Sequence, residues 1–229
     1  MKRFTFILFF CAAAGSIAQA QRSKTPMMGW STWNTFRVNI SESLIKETAD
    51  SMIAKGLKAA GYTNINIDDG YFGGRDGSGH LISHPTKFPG GMKAVADYIH
   101  SRGLKAGIYS EAGSNTCGSL WDNDTCGVGV GFYGHEAQDA KTFFDEWGYD
   151  YIKVDYCGAE RQKLDEKTQY TRIWEEIQKT DKAKSGSEIR INICRWMFPG
   201  TWVSEVGGSW RISHDIRNSF SGTLGVRDI

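Results

Sequence analysis

Short apolar segments alternate with amphipathic segments along most of the chain, and this alternation limits the fold more than any other feature of the sequence. The apolar segments are near-continuous runs of apolar and β-branched residues, as in strands buried on both faces of a sheet. Regular alternation of strand and helix predicts a parallel α/β sheet with right-handed crossovers. The predicted strands are Met28–Trp33, Tyr62–Asp68, Lys105–Tyr109, Tyr151–Asp155, Ile189–Ile193 and a less apolar one at Trp210–Ile212.

Four amphipathic segments predict helices between these strands, because each has a stripe of apolar side chains at helical spacing. Ser41 precedes the first stripe and is a suitable N-cap, while Gly103 and Gly148 stop the second and third. The stripes are Leu44, Ile45, Ala49, Met52, Ile53 and Leu57, then Met92, Val95, Ala96 and Ile99, then Ala137, Ala140, Phe143, Phe144 and Trp147, and finally Tyr170, Ile173, Trp174 and Ile177.

A doubly wound sheet and a (β/α)8 TIM barrel both fit this alternation. No G-x-G-x-x-G motif follows the first strand, and polar and aromatic residues gather at the C-terminal ends of several strands. Barrel enzymes place their chemistry at those ends, so the barrel is favoured. A barrel needs eight units and about 250 residues. We therefore expect residues 21–229 to be the N-terminal part of a catalytic barrel, truncated after about six βα units.

The first residues predict a secretory signal peptide over residues 1–20. Lys2 and Arg3 form a basic start, Phe4–Ala14 is apolar, and Ala18–Ala20 is a small-x-small cleavage site. The apolar run is too short to span a bilayer. An uncleaved anchor is the alternative. We expect a secreted or periplasmic protein without a membrane segment after cleavage.

Charge and cysteine spacing argue against several kinds of partner. The chain has 27 Lys and Arg against 26 Asp and Glu, without a basic block, so nothing predicts binding to nucleic acid. Neither C-x-x-C nor H-E-x-x-H is present, so we expect no metal. In an exported protein the cysteines after the leader favour disulfides, with three full pairings open. These cysteines are Cys117, Cys126, Cys157 and Cys194.

The segment Tyr151–Asp155 carries the strongest chemical signal. Because side chains alternate along a strand, Lys153 and Asp155 point to the same face. A charged pair inside a barrel is costly unless it is functional or fully paired. The pair is a candidate for catalysis, in which Lys153 would favour the ionised form of Asp155. A structural ion pair is the alternative, with equal weight.

Three more acids stand near the ends of predicted strands. Asp68 and Asp69 precede Gly70 and could bind a metal, hold sugar hydroxyls or form a turn. Asp215 follows the last predicted strand, where a helix N-cap is the ordinary interpretation. Retaining glycosidases need two carboxyl groups about 5–5.5 Å apart, one as nucleophile and one as acid and base. Acids from different strand ends would meet that need.

Six short motifs stand in order along the chain. They are Thr25–Asn34 (TPMMGWSTWN), Asn66–Gly70 (NIDDG), Lys87–Gly91 (KFPGG), Gly107–Ser110 (GIYS), Trp147–Gly148 and Tyr151–Cys157 (YIKVDYC). Together they closely resemble the α-galactosidases of glycoside hydrolase family 27. The resemblance covers nearly all of the chain after the leader, from residue 25 to about residue 216.

This resemblance implies a (β/α)8 barrel followed by a C-terminal β-sandwich, which we expect to be absent from this chain. It implies hydrolysis of terminal α-linked D-galactose from oligosaccharides or glycans, with retention of configuration and without a cofactor. The nucleophile maps onto Asp155 and the acid/base onto Asp215. The residues implied to bind the sugar are Trp33, Asp68, Asp69, Tyr109, Lys153, Arg195, Trp196 and Arg211.

The resemblance also implies a disulfide between Cys117 and Cys157, which leaves a bond between Cys126 and Cys194 open. The chain departs from the family at Arg195, where an acid that recognises the substituent at C2 is common. The alternatives are a β-L-arabinopyranosidase or an α-N-acetylgalactosaminidase of the same family. An inactive truncated or carbohydrate-binding fragment is a third. Retention of both Asp68 and Asp69 favours galactose over L-arabinopyranose, whereas the substituent at C2 depends on the region of Arg195 and Trp196. The sequence does not predict the oligomeric state.

Overall fold

Eight strands and nine α-helices are present in the computed structural model, which describes residues 26–215. The predicted signal peptide lies outside these residues. In chain order the strands are β1 (Gly29–Ser31), β2 (Asn64–Asn66), β3 (Phe72–Arg75), β4 (Leu81–Ser83), β5 (Lys105–Glu111), β6 (Tyr151–Asp155), β7 (Arg190–Cys194) and β8 (Ser209–Trp210). The helices are α1 (Trp33–Phe36), α2 (Glu42–Ala54), α3 (Gly91–Ser101), α4 (Cys117–Trp121), α5 (Glu136–Lys141), α6 (Cys157–Arg161), α7 (Glu166–Gln178), α8 (Asp181–Lys184) and α9 (Val203–Val206).

The central sheet has six strands in the order β1-β2-β5-β6-β7-β8, and every neighbouring pair is parallel. Each strand of this sheet therefore pairs with the next sheet strand along the chain, as in consecutive units of a (β/α)8 barrel. The six predicted strands are all confirmed, with shorter bounds at β1, β2 and β8. Because the strands are parallel, their C-terminal ends meet at one edge of the sheet.

The antiparallel hairpin of β3 and β4 was not predicted from the sequence. It lies between β2 and α3 in the chain, outside the central sheet. Arg75 fastens it by donating to both carboxylate oxygens of Asp139 on α5, at 2.7 and 2.6 Å. The same guanidinium donates to the backbone carbonyls of Gly129 and Gly131. A buried charge with this many partners is an effective anchor.

The predicted amphipathic helices are confirmed as α2, α3 and α7, and the third stripe is divided between two kinds of helix. Ser41 caps α2 by accepting the Leu44 N–H at 3.3 Å, and Gly103 follows α3 with a φ of +67°. The third stripe forms α5 and then one π-helical turn, Thr142–Glu146. No helix in residues 26–215 is long and apolar enough to cross a membrane.

Candidate active site

A cavity of about 360 Å³ lies at the C-terminal ends of the parallel strands. An adjoining cavity shares several of its walls and also reaches Asp68. The register of the sheet produces this grouping, since Glu111, Asp155 and Cys194 are direct partners across β5, β6 and β7. The predicted site residues that line the main cavity are Trp33, Lys153, Asp155, Trp196, Arg211 and Asp215.

The ammonium of Lys153 is shared between two carboxylates. Its Nζ donates to Asp68 Oδ2 at 2.9 Å and lies 3.4 Å from Asp155 Oδ2. Both acids are almost fully buried, so the cation offsets two charges that would otherwise be costly. The nitrogen also lies 5.8 Å from the ring centroid of Trp33 and 5.3 Å from that of Tyr109. Asp68, Lys153 and Asp155 therefore form one charged unit.

The carboxylate of Asp155 is incompletely hydrogen-bonded. Its Oδ1 is buried and has no hydrogen-bond partner among the described residues. The Sγ of Cys117 lies 3.3 Å from Oδ2, but a disulfide sulfur has no hydrogen to donate. Burial raises the pKa of Asp155, and the charge of Lys153 opposes that shift. A buried, incompletely bonded carboxylate beside a cation is suited to nucleophilic attack on a bound substrate.

The disulfide between Cys117 and Cys157 is present. It joins the first residue of α4 to the first residue of α6, and both cysteines line the cavity. The buried Glu111 lies near both sulfurs, but because these are bonded to each other they supply no thiolate for a metal. Cys126 and Cys194 are both free, so the second disulfide left open by the sequence is not formed.

Glu111 is a site residue that the sequence analysis missed. Its carboxylate is fully buried and accepts the backbone N–H groups of Gly113 at 3.0 Å, Cys157 at 2.9 Å and Ala159 at 3.1 Å. Burial, followed by the charge of Asp155, raises the pKa of Glu111 to about 8. The predicted strand ends at Tyr109, whereas β5 extends to Glu111, which pairs with Asp155 across the sheet.

Two predicted sugar-binding residues, Asp69 and Tyr109, line neither cavity. Asp69 is fully buried, and its two oxygens accept the N–H groups of Gly70 at 2.8 Å and Gly118 at 2.6 Å. Burial raises the pKa of Asp69 to about 7. Tyr109 is also fully buried, and its hydroxyl accepts the Cys117 N–H at 3.2 Å. Both residues brace α4 from below, whereas Asp68 reaches the adjoining cavity.

The structure does not bring Arg195 together with the cavity residues. Its guanidinium is paired with Glu160 at 3.1 Å and Glu166 at 3.4 Å, and it lies 5.1 Å from the ring centroid of Tyr156. These partners belong to α6, to α7 and to the residue before α6. Only the next residue, Trp196, lines the cavity. The side chain of Arg195, which departs from the family pattern, therefore points toward α6 and α7.

Arg211 and Asp215 form another part of the cavity wall. The Arg211 guanidinium donates to the Asp215 carboxylate and to the Ser213 carbonyl. The Asp215 side chain is 61% exposed, so one of the two predicted catalytic acids is open to solvent and the other is buried. The Arg211 N–H donates to the Ile193 carbonyl at 3.1 Å, which ties this segment to β7.

The family model described as Alpha galactosidase A matches residues 25–228. The chain belongs to this family, glycoside hydrolase family 27. The α-galactosidase of Coffea arabica is 46% identical over 200 residues, which are 86% of this chain and 49% of that protein. The chain thus spans about half the length of the curated relatives it matches.

Solved α-galactosidases of the family have the same fold. α-Galactosidase I from Mortierella vinacea superposes with a TM-score of 0.74 at 37% identity, over 86% of this chain and 47% of that one. An α-galactosidase from Saccharomyces cerevisiae, solved with raffinose, gives 0.74 at 35% identity, over 86% and 41%. The α/β barrel fold class predicted from strand and helix alternation is therefore confirmed.

The outer wall of the cavity contains residues that lie outside the family motifs. Arg37, Trp121 and His214 line it together with Trp196. Neither Arg37 nor Trp121 belongs to any of the six motifs that carry the family resemblance, so the resemblance gave no reason to select them. The available signal for Trp121 was an indole in a Gly- and Asp-rich segment, which is rarely needed for a core.

Proposed function

We propose that this chain carries the catalytic site of a retaining α-galactosidase, which removes terminal α-linked D-galactose from oligosaccharides or glycans. The observation that carries the proposal is Asp155. It has a buried oxygen without a partner, beside Lys153, in a cavity at the strand ends of a family 27 barrel. The relative from Saccharomyces cerevisiae, solved with a galactose-containing trisaccharide, supports this substrate class.

In the proposed reaction Asp155 attacks C1 of galactose while Asp215 protonates the departing glycosidic oxygen. The C1–oxygen bond breaks, its electron pair goes to the leaving group, and a β-galactosyl ester forms on Asp155. Asp215, now ionised, then takes a proton from water as the water attacks C1 and breaks the ester. Two inversions at C1 give α-galactose, and both carboxyl groups return to their starting states.

The remaining residues have supporting roles in this proposal. Lys153 lowers the pKa of Asp155 against the effect of burial, and so favours the ionised nucleophile. In this proposal Asp68, which lines the adjoining cavity, accepts sugar hydroxyls at C4 and C6, while Asp69 holds the backbone of α4. Arg211 holds Asp215 in the free enzyme, and substrate would take over donors of that guanidinium. We further propose export, on the basis of the basic and apolar leader.

The decisive experiment combines nucleophile rescue with product stereochemistry. Asp155→Ala should lose hydrolysis of nitrophenyl α-galactoside, and added azide should restore turnover with β-galactosyl azide as product. Asp215→Ala should instead give α-galactosyl azide, because azide then attacks the intermediate formed on Asp155. Asp97→Ala is the matched control, since Asp97 is an exposed acid on α3, paired with Lys93. It should behave as wild type.

A substrate panel separates this activity from its alternatives. Wild type should cleave nitrophenyl α-galactoside faster than the β-L-arabinopyranoside or the α-N-acetylgalactosaminide. Preference for another sugar would assign the corresponding sibling specificity. A folded chain that is inert on all three would refute the hydrolase assignment for this chain.

A further inference from the structure

The cavity extends beyond the acids to an outer part that the proposed mechanism does not use. Trp121 lines this part, and its side chain is 65% exposed, the highest value among the large apolar residues described. An exposed indole in the wall of a cavity is available to stack against a ligand. The outer part also contains Arg37, from the segment after α1.

The backbone that carries Trp121 is anchored, although its side chain is exposed. It ends α4, and the first turn of this helix is fixed by the disulfide at Cys117, the Thr116 cap on Ser119 and the Gly118 N–H bound to Asp69. The same helix is thus fastened to the floor of the acid site. The position of the indole relative to Asp155 is set by a short, doubly anchored element.

The other end of α4 is fastened as well. Asp122 follows Trp121 and accepts two hydrogen bonds from the Arg37 guanidinium, through Nε and Nη2. The Arg37 guanidinium carbon lies 4.7 Å from the ring centroid of Trp33, and the backbone φ of Arg37 is +48°, which side chains rarely adopt. On Trp121, the guanidinium of Arg161 lies 5.1 Å from the ring centroid.

We propose that Trp121 and Arg37 form the leaving-group subsite and bind the sugar from which galactose is released. This inference rests on the proposed α-galactosidase function. The apolar C–H face of a hexose stacks on an indole, and its hydroxyls accept from a guanidinium. Arg37 Nη1 has no acceptor among the described residues, so it remains available as a donor. Because Asp122 neutralises Arg37, this pair adds no net charge to the subsite, and hydroxyl groups are suitable acceptors for its guanidinium.

The test compares leaving groups in one variant. Trp121→Ala should lower kcat/KM about tenfold for galactosyl-α-1,6-glucose and for raffinose, because both place a sugar beyond the cleaved bond. The same variant should cleave α-galactosyl fluoride as wild type does, because fluoride is too small to reach the indole. Trp121→Phe keeps an aromatic face and should restore most of the loss. Tyr133→Ala is the matched control, an exposed aromatic residue that does not line the cavity.

Binding supplies a readout that does not require turnover. In an Asp155→Asn background, calorimetry with galactose and with raffinose measures what the leaving sugar adds to affinity. Trp121→Ala should abolish that added affinity and leave galactose binding unchanged. If the wild type hydrolyses no substrate while raffinose still binds more tightly than galactose through Trp121, that result would refute the proposed reaction but retain Trp121 as part of a sugar-binding site.

Three results would overturn the inference. Equal losses on the fluoride and the disaccharide would make Trp121 a support for the acids rather than a contact of the leaving group. Unchanged kinetics and unchanged raffinose binding would leave the indole without a ligand role. A loss confined to nitrophenyl galactoside would assign the surface to aryl groups instead of sugars.

Discussion

The carboxylate of Glu111, at the end of β5, accepts the backbone N–H of Cys157 at 2.9 Å. Cys157 is the first residue of α6, so the strand on one side of β6 caps the helix that follows β6. Such a cross-strand cap fixes the chain directly after Asp155. It also places a second, fully buried carboxyl group beside the proposed nucleophile.

The first prediction concerns the pH dependence of stability. The pKa of Glu111 is raised from 4.5 to about 8, so between these values the folded state binds a proton that the unfolded state has lost. The contribution of Glu111 to the free energy of unfolding is therefore complete below about pH 4.5 and is lost as the pH rises toward 8. Glu111→Gln should reduce this fall in the free energy of unfolding by up to about 1.4 kcal/mol per pH unit. Urea unfolding from pH 5 to 8 measures the slope.

Glu47→Gln provides the control for Glu111→Gln, because Glu47 is an exposed acid on α2. It should leave the slope unchanged. Asp69 and Asp139, whose pKa values are raised to about 7 and about 6, will keep part of the slope in every variant. An identical slope in Glu111→Gln and wild type would mean that Glu111 is ionised in the folded state.

The second prediction concerns Lys153→Met, which leaves Asp68 and Asp155 facing each other without a cation. Since Lys153 lowers the pKa of Asp155, its removal should move the acidic limb of the kcat/KM profile to higher pH. At the optimum, kcat/KM should fall by about 100-fold or more. Lys93→Met, which breaks an exposed ion pair on α3, should change neither value. An unmoved acidic limb would remove Lys153 from the control of the nucleophile.

The third prediction concerns the disulfide. Cys117 and Cys157 are 40 residues apart, so replacing both by Ala should lower the free energy of unfolding by about 2–4 kcal/mol. The activity of the molecules that remain folded should also fall, because the disulfide supports the chain next to Asp155. Cys126→Ser, at a partly exposed free cysteine, should change neither thermal unfolding nor activity. Equal melting temperatures of the double variant and wild type would contradict the expected stabilisation.

The fourth prediction tests whether Arg195 positions Trp196 or contacts the sugar directly. In the structure Arg195 neutralises Glu166, and this ion pair fixes the chain directly before Trp196. Arg195→Met should therefore lower kcat/KM about tenfold by loosening Trp196, and adding Glu166→Gln should recover part of the loss. The coupling energy should be about 0.5–3 kcal/mol. Purely additive losses would instead indicate that Arg195 contacts the sugar.

The sheet and its main helices were predictable because their signals are local. The run Tyr151–Asp155 is apolar apart from Lys153 and Asp155. The apolar residues of α3 recur at helical spacing along the whole helix. The hairpin was missed because Phe72–Arg75 contains two glycines and resembles a turn. Its stability comes from the distant partner Asp139, which no local pattern reveals.

The acid site was only partly predictable. Strand alternation places Lys153 and Asp155 on one face, and the structure confirms this. Alternation does not extend into loops, so the direction of Arg195 beyond β7 depends on Glu160 and Glu166, far away in the chain. Likewise, nothing near Asp69 in the sequence indicates that both of its oxygens are used by backbone groups.

The strand order of the central sheet equals the order of synthesis, and this has a consequence for how the site assembles. Each sheet strand can dock on the one made immediately before it, so the sheet grows from its N-terminal side. Asp68 leaves water with β2, but the cation that compensates it is 85 residues later, on β6. A growing chain that has not reached Lys153 holds a carboxylate without its counter-ion. Addition of β6 therefore supplies the proposed nucleophile and the counter-ion of Asp68 together, so the charged unit of Asp68, Lys153 and Asp155 is complete only once β6 has joined the earlier strands.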